Sequence, residues 1–188
     1  VVWTTDSNGI FSSETGWITD AQTITDGYEN TFTKDFNSDG LISGGDYYQL
    51  LGDDGAVTLK YRSNMSGWND DTSDQWNVTA AKNNSTSFQV LFEGTGSMDG
   101  KNVVWTTDSN VIFSSETGWI TDAQTITDGY EHTFTKDFNS DGLISGGVYY
   151  QLLGDDGAVT LNYCCNMSGW SDDTREQWNV TAAKNNST

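Results

Sequence analysis

The segment Trp76–Thr107 reads WNVTAAKNNSTSFQVLFEGTGSMDGKNVVWTT and contains three short runs of apolar and β-branched residues. These runs are WNVTAAK, FQVLFE and VVWTT; a polar NNSTS follows the first, and a Gly-rich GTGSMDGKN follows the second. Runs of this length between Gly, Asn and Ser clusters predict antiparallel strands joined by turns. We therefore predict a β-meander here and a mainly β (α+β) fold for the chain, built from tandem meander units.

The sequence around this segment is duplicated. Residues 1–86 align without a gap with residues 103–188, and only nine of the 86 pairs differ. Copies this similar are typical of arrays that extend, display or adhere, so we interpret the chain as a slice of a longer array. The predicted units are residues 1–75, the later part of one unit; residues 76–177, a complete unit; and residues 178–188, an opening strand.

Two further elements are predicted within each copy. After Trp17 the apolar spacing changes to three and four, which predicts a short amphipathic helix over about residues 20–33 that packs on the sheet. The apolar positions of this helix are Ala21, Ile24, Tyr28 and Phe32. The segment Tyr47–Tyr61 has β-prone runs on both sides of GDDG, which predicts a hairpin.

Composition narrows the possible partners. The net charge is −19 and the pI is about 4.1, which disfavours nucleic acid and anionic membranes. Trp, Tyr and Phe each occur eight times, which favours a β-rich extracellular protein with an aromatic core. The adjacent Cys164 and Cys165 replace Arg62 and Ser63 of the first copy, so they are not a disulfide framework. They are unpaired thiols or cross-link two chains.

The most specific motif is DFNSDGLIS at residues 35–43, which has the D-x-N-x-D-G pattern of a calcium loop. Hard oxygens at alternate positions surround one cation, glycine at position six permits the turn, and a carbonyl follows. The predicted ligands are Asp35, Asn37, Asp39, Leu41, Ser43 and Asp46, with Asp137, Asn139, Asp141, Leu143 and Ser145 in the second copy. Val148 occupies position twelve there, so the sites differ in affinity or are completed from elsewhere. An Asp- and Gly-rich turn without metal is the alternative.

The order of these signals resembles the tryptophan-rich C-terminal domain family first described in cyanobacteria and found in large secreted proteins. The matching residues are W-x-V-x-A-A at Trp76–Ala81, FQVLFEGTG, VVWTTDSN, the helix and KDFNSDGLIS. The resemblance covers residues 76–145 in full, with residues 1–43 as its second half and residues 178–188 as its first strand. It implies an extracellular, calcium-associated β module with no enzymatic activity.

Other motifs are assigned less specific roles. The copies share no histidine, because His132 replaces Asn30. The Asp-Asp pairs are interpreted as solvated turn residues rather than an acid and a base. We therefore predict that the chain is not an enzyme. Core packing is the favoured interpretation of the eight tryptophans, and the alternative is exposure with sugar stacking, for which Trp68 in MSGWNDD and its copy Trp170 are the candidates. Glycosylation sequons, which matter only if the source glycosylates asparagine, lie at Asn64, Asn77, Asn83, Asn84, Asn166, Asn179, Asn185 and Asn186.

The predicted function follows from the array and the loops. We expect a structural, calcium-binding repeat of an extracellular filament, sheath or surface layer, in which repeats or subunits complete one another's β-sheets head to tail. The partners are identical chains in a homo-polymer, with polysaccharide as a further candidate and without membrane insertion. The alternative is a tandem carbohydrate-binding or adhesin module.

Overall fold

The computed structural model describes residues 1–61, 65–154, 157–162 and 180–183. These residues are mainly β with short helices, which confirms the predicted fold class at that level. The first copy contains β1 (Trp3–Thr5), β2 (Phe11–Glu14), α1 (Asp20–Thr25), α2 (Tyr28–Phe32), β3 (Leu41–Ile42), β4 (Gln49–Gly52) and β5 (Gly55–Thr58). The central segment and second copy contain β6 (Trp76–Asn83), β7 (Phe88–Gly94), β8 (Lys101–Thr107), β9 (Phe113–Glu116), β10 (Ile120–Thr121), α3 (Asp122–Thr127), α4 (Tyr130–Phe134), β11 (Leu143–Ile144), β12 (Gln151–Gly154) and β13 (Gly157–Thr160).

The largest sheet has the strand order β10-β8-β7-β6, and β9 also pairs with β8. Its strands are antiparallel, with Val90 opposite Trp105 and Val78 opposite Phe92. Because successive side chains of a strand point to opposite faces, the runs FQVLF and VVW supply apolar residues to both faces. Both faces of this sheet are therefore covered by other elements.

Each face is covered by a different copy of the repeat. On one face, Leu41, Leu50 and Leu59 of the first copy join Phe92 and Trp105 in a single buried cluster. On the other face, Phe134 of α4 packs with a smaller cluster that includes Leu91. Burial of this kind stabilises by roughly 1.5–3 kcal/mol for each large apolar side chain. The hairpin of one copy and the sheet before the next copy therefore share a core.

The hairpin predicted around GDDG is confirmed. Strands β4 and β5 pair with Gly52 opposite Gly55, so that Asp53 and Asp54 form the two-residue turn. Strand β3 pairs with β4, which makes a three-stranded sheet, and β11, β12 and β13 repeat this arrangement. No helix in the described ranges is long and apolar enough to cross a membrane.

The single helix predicted over residues 20–33 is wrong, because the chain forms two short helices there. Gly27 adopts a left-handed backbone conformation with φ of 73° between α1 and α2. The Thr19 side chain accepts a hydrogen bond from the Gln22 backbone N–H at 3.2 Å and caps α1. The buried side chains of the pair are Thr23 and Glu29, whereas Ala21 is exposed. The apolar spacing therefore did not identify the buried face in the first copy, whereas in the second copy Tyr130 and Phe134, the counterparts of Tyr28 and Phe32, do pack on the sheet.

Candidate functional site

The predicted calcium loop of the first copy turns around the Asp35 carboxylate. Its Oδ1 accepts from the Ser38 backbone N–H at 2.6 Å, and its Oδ2 accepts from the Gly40 N–H at 2.8 Å. Both donors have positive φ, 62° at Ser38 and 81° at Gly40. The loop thus wraps backbone amides around one aspartate, which fixes where that side chain points.

The side chains at positions three and five lie in the same turn. Asn37 Nδ2 donates to Asp39 Oδ2 at 2.8 Å, and Asp39 Oδ1 accepts from the Leu41 N–H at 2.8 Å. Each carboxylate oxygen has a second lone pair that is available to a cation. The structure therefore brings the oxygens of Asp35, Asn37 and Asp39 into one loop.

The second copy repeats this geometry. Asp137 Oδ2 accepts from the Gly142 N–H at 2.7 Å, and Asp141 Oδ1 accepts from the Leu143 N–H at 2.8 Å. Asn139 Nδ2 donates to Asp141 Oδ2 at 2.9 Å. The arrangement is thus a property of the nine-residue motif and does not depend on which copy contains it.

A buried glutamate that sequence reasoning missed fixes the loop to the helix before it. Glu29 is fully buried, and its two carboxylate oxygens accept from the Phe36 N–H at 2.8 Å and the Ser43 N–H at 2.9 Å. Glu131 does the same for Phe138 and Ser145. Periodicity carried no signal for this role, because the partners are backbone amides 7 and 14 residues away.

The electrostatics of the first loop are unfavourable for its own carboxylates. The pKa of Asp39 is raised from 3.8 to about 6, mainly by burial and to a smaller extent by the neighbouring Asp35 and Glu29 carboxylates, while hydrogen bonds from Leu41 and Asn37 oppose the shift. A low-dielectric site with several negative groups favours either a proton or a cation. The loop therefore has the charge balance of a cation site.

The remaining predicted ligands are Leu41, which continues the turn, and Ser43 and Asp46, whose side chains make no hydrogen bond to Asp35, Asn37 or Asp39 among those that the structure gives. Leu41 is buried at the start of β3, and the Ser43 N–H is directed to Glu29. Asp46 is exposed, and its backbone carbonyl accepts from Asn69 Nδ2 at 3.1 Å. Its counterpart Val148 is also exposed.

The acidic groups alone do not form a metal cage. Among the described residues, no group of three or more His, Cys, Asp and Glu side chains is arranged to hold a metal ion. A cation in this loop would therefore take its remaining ligands from the Asn37 amide, backbone carbonyls and water. Calcium accepts such a mixed oxygen set, whereas magnesium requires a stricter geometry.

Each loop also contacts the segment that opens the next predicted unit, which begins at Trp76 for the first loop and at Trp178 for the second. The Ala81 N–H of β6 donates to the Asp39 carbonyl at 2.7 Å, and the Ala183 N–H donates to the Asp141 carbonyl at 2.8 Å. A Cβ atom on Gly40 would lie 1.9 Å from the Ala81 carbonyl oxygen, and one on Gly142 would lie 2.1 Å from that of Ala183. The position-six glycine therefore permits a close contact between two backbones as well as the turn.

Trp68 is half-buried and packs against other rings, as the core-packing interpretation of the tryptophans predicts. Its ring lies 4.9 Å from the Trp105 ring and 5.4 Å from the Phe92 ring, between centroids, at the edge of the main core. Its buried Nε1 has no hydrogen-bond partner in the described part of the chain. Trp170 lies outside the described residues, so the second copy does not bear on this point.

An aromatic cleft of about 440 Å³ opens beside Trp68. Its rim includes Tyr61, Trp76 and the largely exposed Trp119, whose ring centroid lies 6.3 Å from that of Trp76. Glu116 also lines it and accepts a hydrogen bond from Trp105 Nε1 at 3.1 Å. Aromatic faces beside a carboxylate are suited to a ligand with both apolar and hydroxyl surfaces.

The sequons are placed only in part. Asn77 and Asn84 are exposed, and Asn83 Nδ2 donates to Asp53 Oδ1 at 2.7 Å. The other sequon residues, Asn64, Asn166, Asn179, Asn185 and Asn186, and the cysteines Cys164 and Cys165 lie outside the described residues.

Comparison with known proteins gives one match. A family model described as the tryptophan-rich Synechocystis species C-terminal domain matches residues 41–147. The matched range begins at β3 and includes the β3–β5 hairpin, the central sheet, α3, α4 and the second loop. Neither a curated protein nor a solved structure matches the chain.

Proposed function

The chain belongs to the tryptophan-rich Synechocystis species C-terminal domain family, and on that premise we propose that it is a structural, non-enzymatic repeat of an extracellular filament, sheath or surface layer. Its copies are joined head to tail, and each junction contains a calcium-binding loop. The partners are identical chains, and neither nucleic acid nor membrane insertion is involved.

The observation that carries this proposal is the repeated contact between the loop of one predicted unit and the opening segment of the next, with the unit boundaries at Trp76 and Trp178. The hydrogen bonds from Ala81 to Asp39 and from Ala183 to Asp141 are equivalent and have nearly equal lengths. A contact that joins the end of one unit to the beginning of the next is heterologous. Repetition of such a contact generates an open filament.

Calcium strengthens the junction in this proposal. The ligands are the side chains of Asp35, Asn37 and Asp39 and the Leu41 carbonyl, with their counterparts in the second copy; Ser43 and Asp46 contribute only through water. A bound cation neutralises the carboxylates that raise the Asp39 pKa. Because the Asp39 carbonyl also holds β6, ordering the loop stabilises the junction.

The test removes one loop carboxylate in each copy. The double variant Asp35→Asn with Asp137→Asn is compared with Asp26→Asn with Asp128→Asn, which removes the same charge at exposed helix ends. Calcium titration calorimetry and melting in calcium or EDTA are the measurements. At a calcium concentration about 100 times Kd, binding raises the free energy of unfolding by about 2.7 kcal/mol per site.

We expect the wild type and the control variant to gain stability from calcium, whereas the loop variant does not. Electron microscopy of multi-repeat filaments with and without chelator then tests the junction. Filaments and melting temperatures that are indifferent to EDTA would reject the calcium part of the proposal.

A carbohydrate-binding role is the second candidate, and the aromatic cleft is the observation that favours it. Trp76 and Trp119 present ring surface at its rim, and Glu116 offers a carboxylate for sugar hydroxyls. Glycan-array binding that is lost in Trp119→Ala and retained in Trp17→Ala, its exposed counterpart in the first copy, would support this role. A glycan array without specific binding would reject the carbohydrate-binding role, and the structural role would then be the only candidate left.

A further inference from the structure

Equivalent residues of the two copies have opposite exposure. Trp3 is 66% exposed, whereas Trp105, the same residue in the second copy, is 6% exposed. Phe32 is 52% exposed and its counterpart Phe134 is 8% exposed. The sequence around these residues is the same in both copies except that His132 replaces Asn30, so the difference lies in what covers them.

In the second copy, the β6–β7 hairpin covers these side chains, and the rings of Tyr61 and Trp68 also pack on Trp105. Strand β7 pairs with β8, so that Val90, Leu91 and Phe92 lie opposite Trp105, Val104 and Val103. The rings of Phe92 and Trp105 lie 4.4 Å apart between centroids. On the opposite face, Leu91 and Ala80 form a cluster with Phe134.

Elements β1, β2, α1 and α2 of the first copy have the same conformation as β8, β9, α3 and α4, which the β6–β7 hairpin covers in the second copy. Trp3 pairs with Glu14 and Thr4 with Ser13, followed by a register shift, just as Trp105 pairs with Glu116 and Thr106 with Ser115. Helices α1 and α2 match α3 and α4 in length and caps. This face is therefore preformed, and an apolar groove of about 320 Å³ runs along it, lined in part by Val2, Trp3 and Phe32.

The free edge of β1 is also in the correct orientation. Within the described part of the chain, β1 pairs with β2 alone. The Val2 N–H and carbonyl are both bonded to Thr15, at 3.0 Å each. Since successive N–H groups of a strand point to opposite sides, the Trp3 N–H points to the open edge.

We infer that this face of the first copy, formed by β1 and α2, binds a β-hairpin with the sequence of Trp76–Gly94 contributed by a second copy of the repeat. Val90, Leu91 and Phe92 of the incoming hairpin lie opposite Trp3, Val2 and Val1, and the hairpin adds two strands to β1. The inference rests on the proposed completion of sheets between repeats, and it specifies the partner and its register.

Charge complementarity supports this occupant. In the second copy, Lys136 Nζ lies 2.7 Å from Glu93 Oε2 of β7. Its counterpart in the first copy, Lys34, lies with Nζ 4.9 Å from the Phe36 ring centroid. An incoming hairpin in the same register places its Glu93 beside Lys34, so the hairpin meets an opposite charge as well as an apolar groove.

The test adds a synthetic peptide with the sequence of Gln75–Thr95, carrying Trp76→Phe, to the isotope-labelled 188-residue chain. Amide hydrogen exchange is measured residue by residue. We expect saturable binding that slows exchange of the Trp3 amide by about tenfold or more. The Val2 amide, which is already bonded to Thr15, serves as an internal reference and changes little.

Matched variants identify the surface. Val2→Asp places a charge in the groove and is expected to weaken binding by about tenfold or more. Val159→Asp makes the same change at an exposed valine on another sheet and leaves binding unchanged. In the peptide, Leu91→Asp abolishes binding, whereas Lys82→Gln, at an exposed position, does not.

A fused chain keeps the test decisive if the free peptide self-associates. Residues 75–102 placed ahead of Val1 reproduce the order in which Asn102 precedes Val103. Protection of the Trp3 amide that Val2→Asp abolishes supports the inference. Absence of that protection in the fused chain, or protection that survives Val2→Asp, overturns it.

The outcomes separate this inference from the proposed function. Calcium-dependent filaments in which the Trp3 amide stays unprotected would overturn the hairpin register and leave the structural role standing. Specific hairpin binding in a chain whose stability and assembly do not depend on calcium would support the hairpin register and reject the calcium part of the proposed function.

Discussion

At the scale of single residues, the loop combines two roles that the motif alone does not separate. Asp35, Asn37 and Asp39 bring their side-chain oxygens into one turn, and in the proposed function these oxygens bind a cation. The carbonyl of Asp39 and the absent side chain of Gly40 serve the contact with Ala81. Changes at neighbouring positions are therefore expected to affect cation binding and junction stability separately.

Replacing Gly40 tests the close backbone contact. Gly40→Ala places a methyl group against the Ala81 carbonyl at φ of 81°, and we expect a loss of about 3 kcal/mol in the free energy of unfolding. The control is Gly9→Ala, where φ is 77° but nothing lies within 4 Å, and where the second copy has Val111. Urea denaturation measures both, and equal losses would mean that backbone strain alone explains the effect.

The raised pKa of Asp39 predicts how stability depends on pH without metal. Between pH 4 and 6, Asp39 is protonated more in the folded than in the unfolded state. Its contribution to the free energy of unfolding is therefore fully present below about pH 4 and is lost as the pH rises through about 6. The wild type minus Asp39→Asn difference in melting temperature should fall over that range. In the proposed site, calcium binds the ionised form of the Asp39 carboxylate. The calcium affinity should therefore increase as the pH rises from 4 to 6. A flat difference would show that the carboxyl group is not desolvated.

At the scale of elements, a buried carboxylate connects the helix pair to the loop. Glu29 accepts from both ends of the loop, at Phe36 and Ser43, and α2 therefore fixes the position of the turn. The glutamate in α2 thus acts as a rigid attachment point for a loop that lies outside the helix.

Neutralising Glu29 tests this attachment. Glu29→Gln leaves one backbone N–H facing an amide NH₂ instead of an oxygen, and we expect a loss of about 1–3 kcal/mol in unfolding free energy. Glu14→Gln, at an exposed position of β2, should change it by less than about 0.5 kcal/mol. Differential calorimetry distinguishes the two, and identical melting temperatures would remove the structural role of Glu29.

At the scale of the whole molecule, the repeats share their cores. The β3–β5 hairpin of the first copy covers the sheet that precedes the second copy, and α4 covers its other face. Unfolding of the first hairpin therefore exposes the central sheet. Stability in such an array depends on interfaces between neighbours as well as on each unit.

Truncating the same leucine in the two copies tests this sharing. Leu50 is completely buried in the main cluster, whereas its counterpart Leu152 is only partly buried. We expect Leu50→Ala to cost about 2–5 kcal/mol in the free energy of unfolding and Leu152→Ala clearly less. Chemical denaturation followed by tryptophan fluorescence measures both, and equal costs would contradict a core shared with the central sheet.

The local elements were predictable where the pattern depends only on neighbouring residues. The GDDG hairpin and the position of the Thr19 cap follow from turn and capping preferences. The prediction of one helix failed because Gly27 adopts a left-handed conformation, and its apolar positions did not include the two buried side chains of the pair, Thr23 and Glu29. Core packing was the favoured interpretation for Trp68, but its polar neighbours gave no sign that the Phe92 and Trp105 rings are the ones that cover it.

The sequence by itself determined the mainly β class, the duplication and the spacing of the loop oxygens, because period, turn chemistry and motif spacing act over a few residues. Only the tertiary structure decided which copy covers which face of the sheet, that Glu29 holds the loop, and that identical residues such as Trp3 and Trp105 differ in burial. The physical reason is that burial depends on contacts between segments far apart in the chain, and two identical segments with different neighbours have different environments.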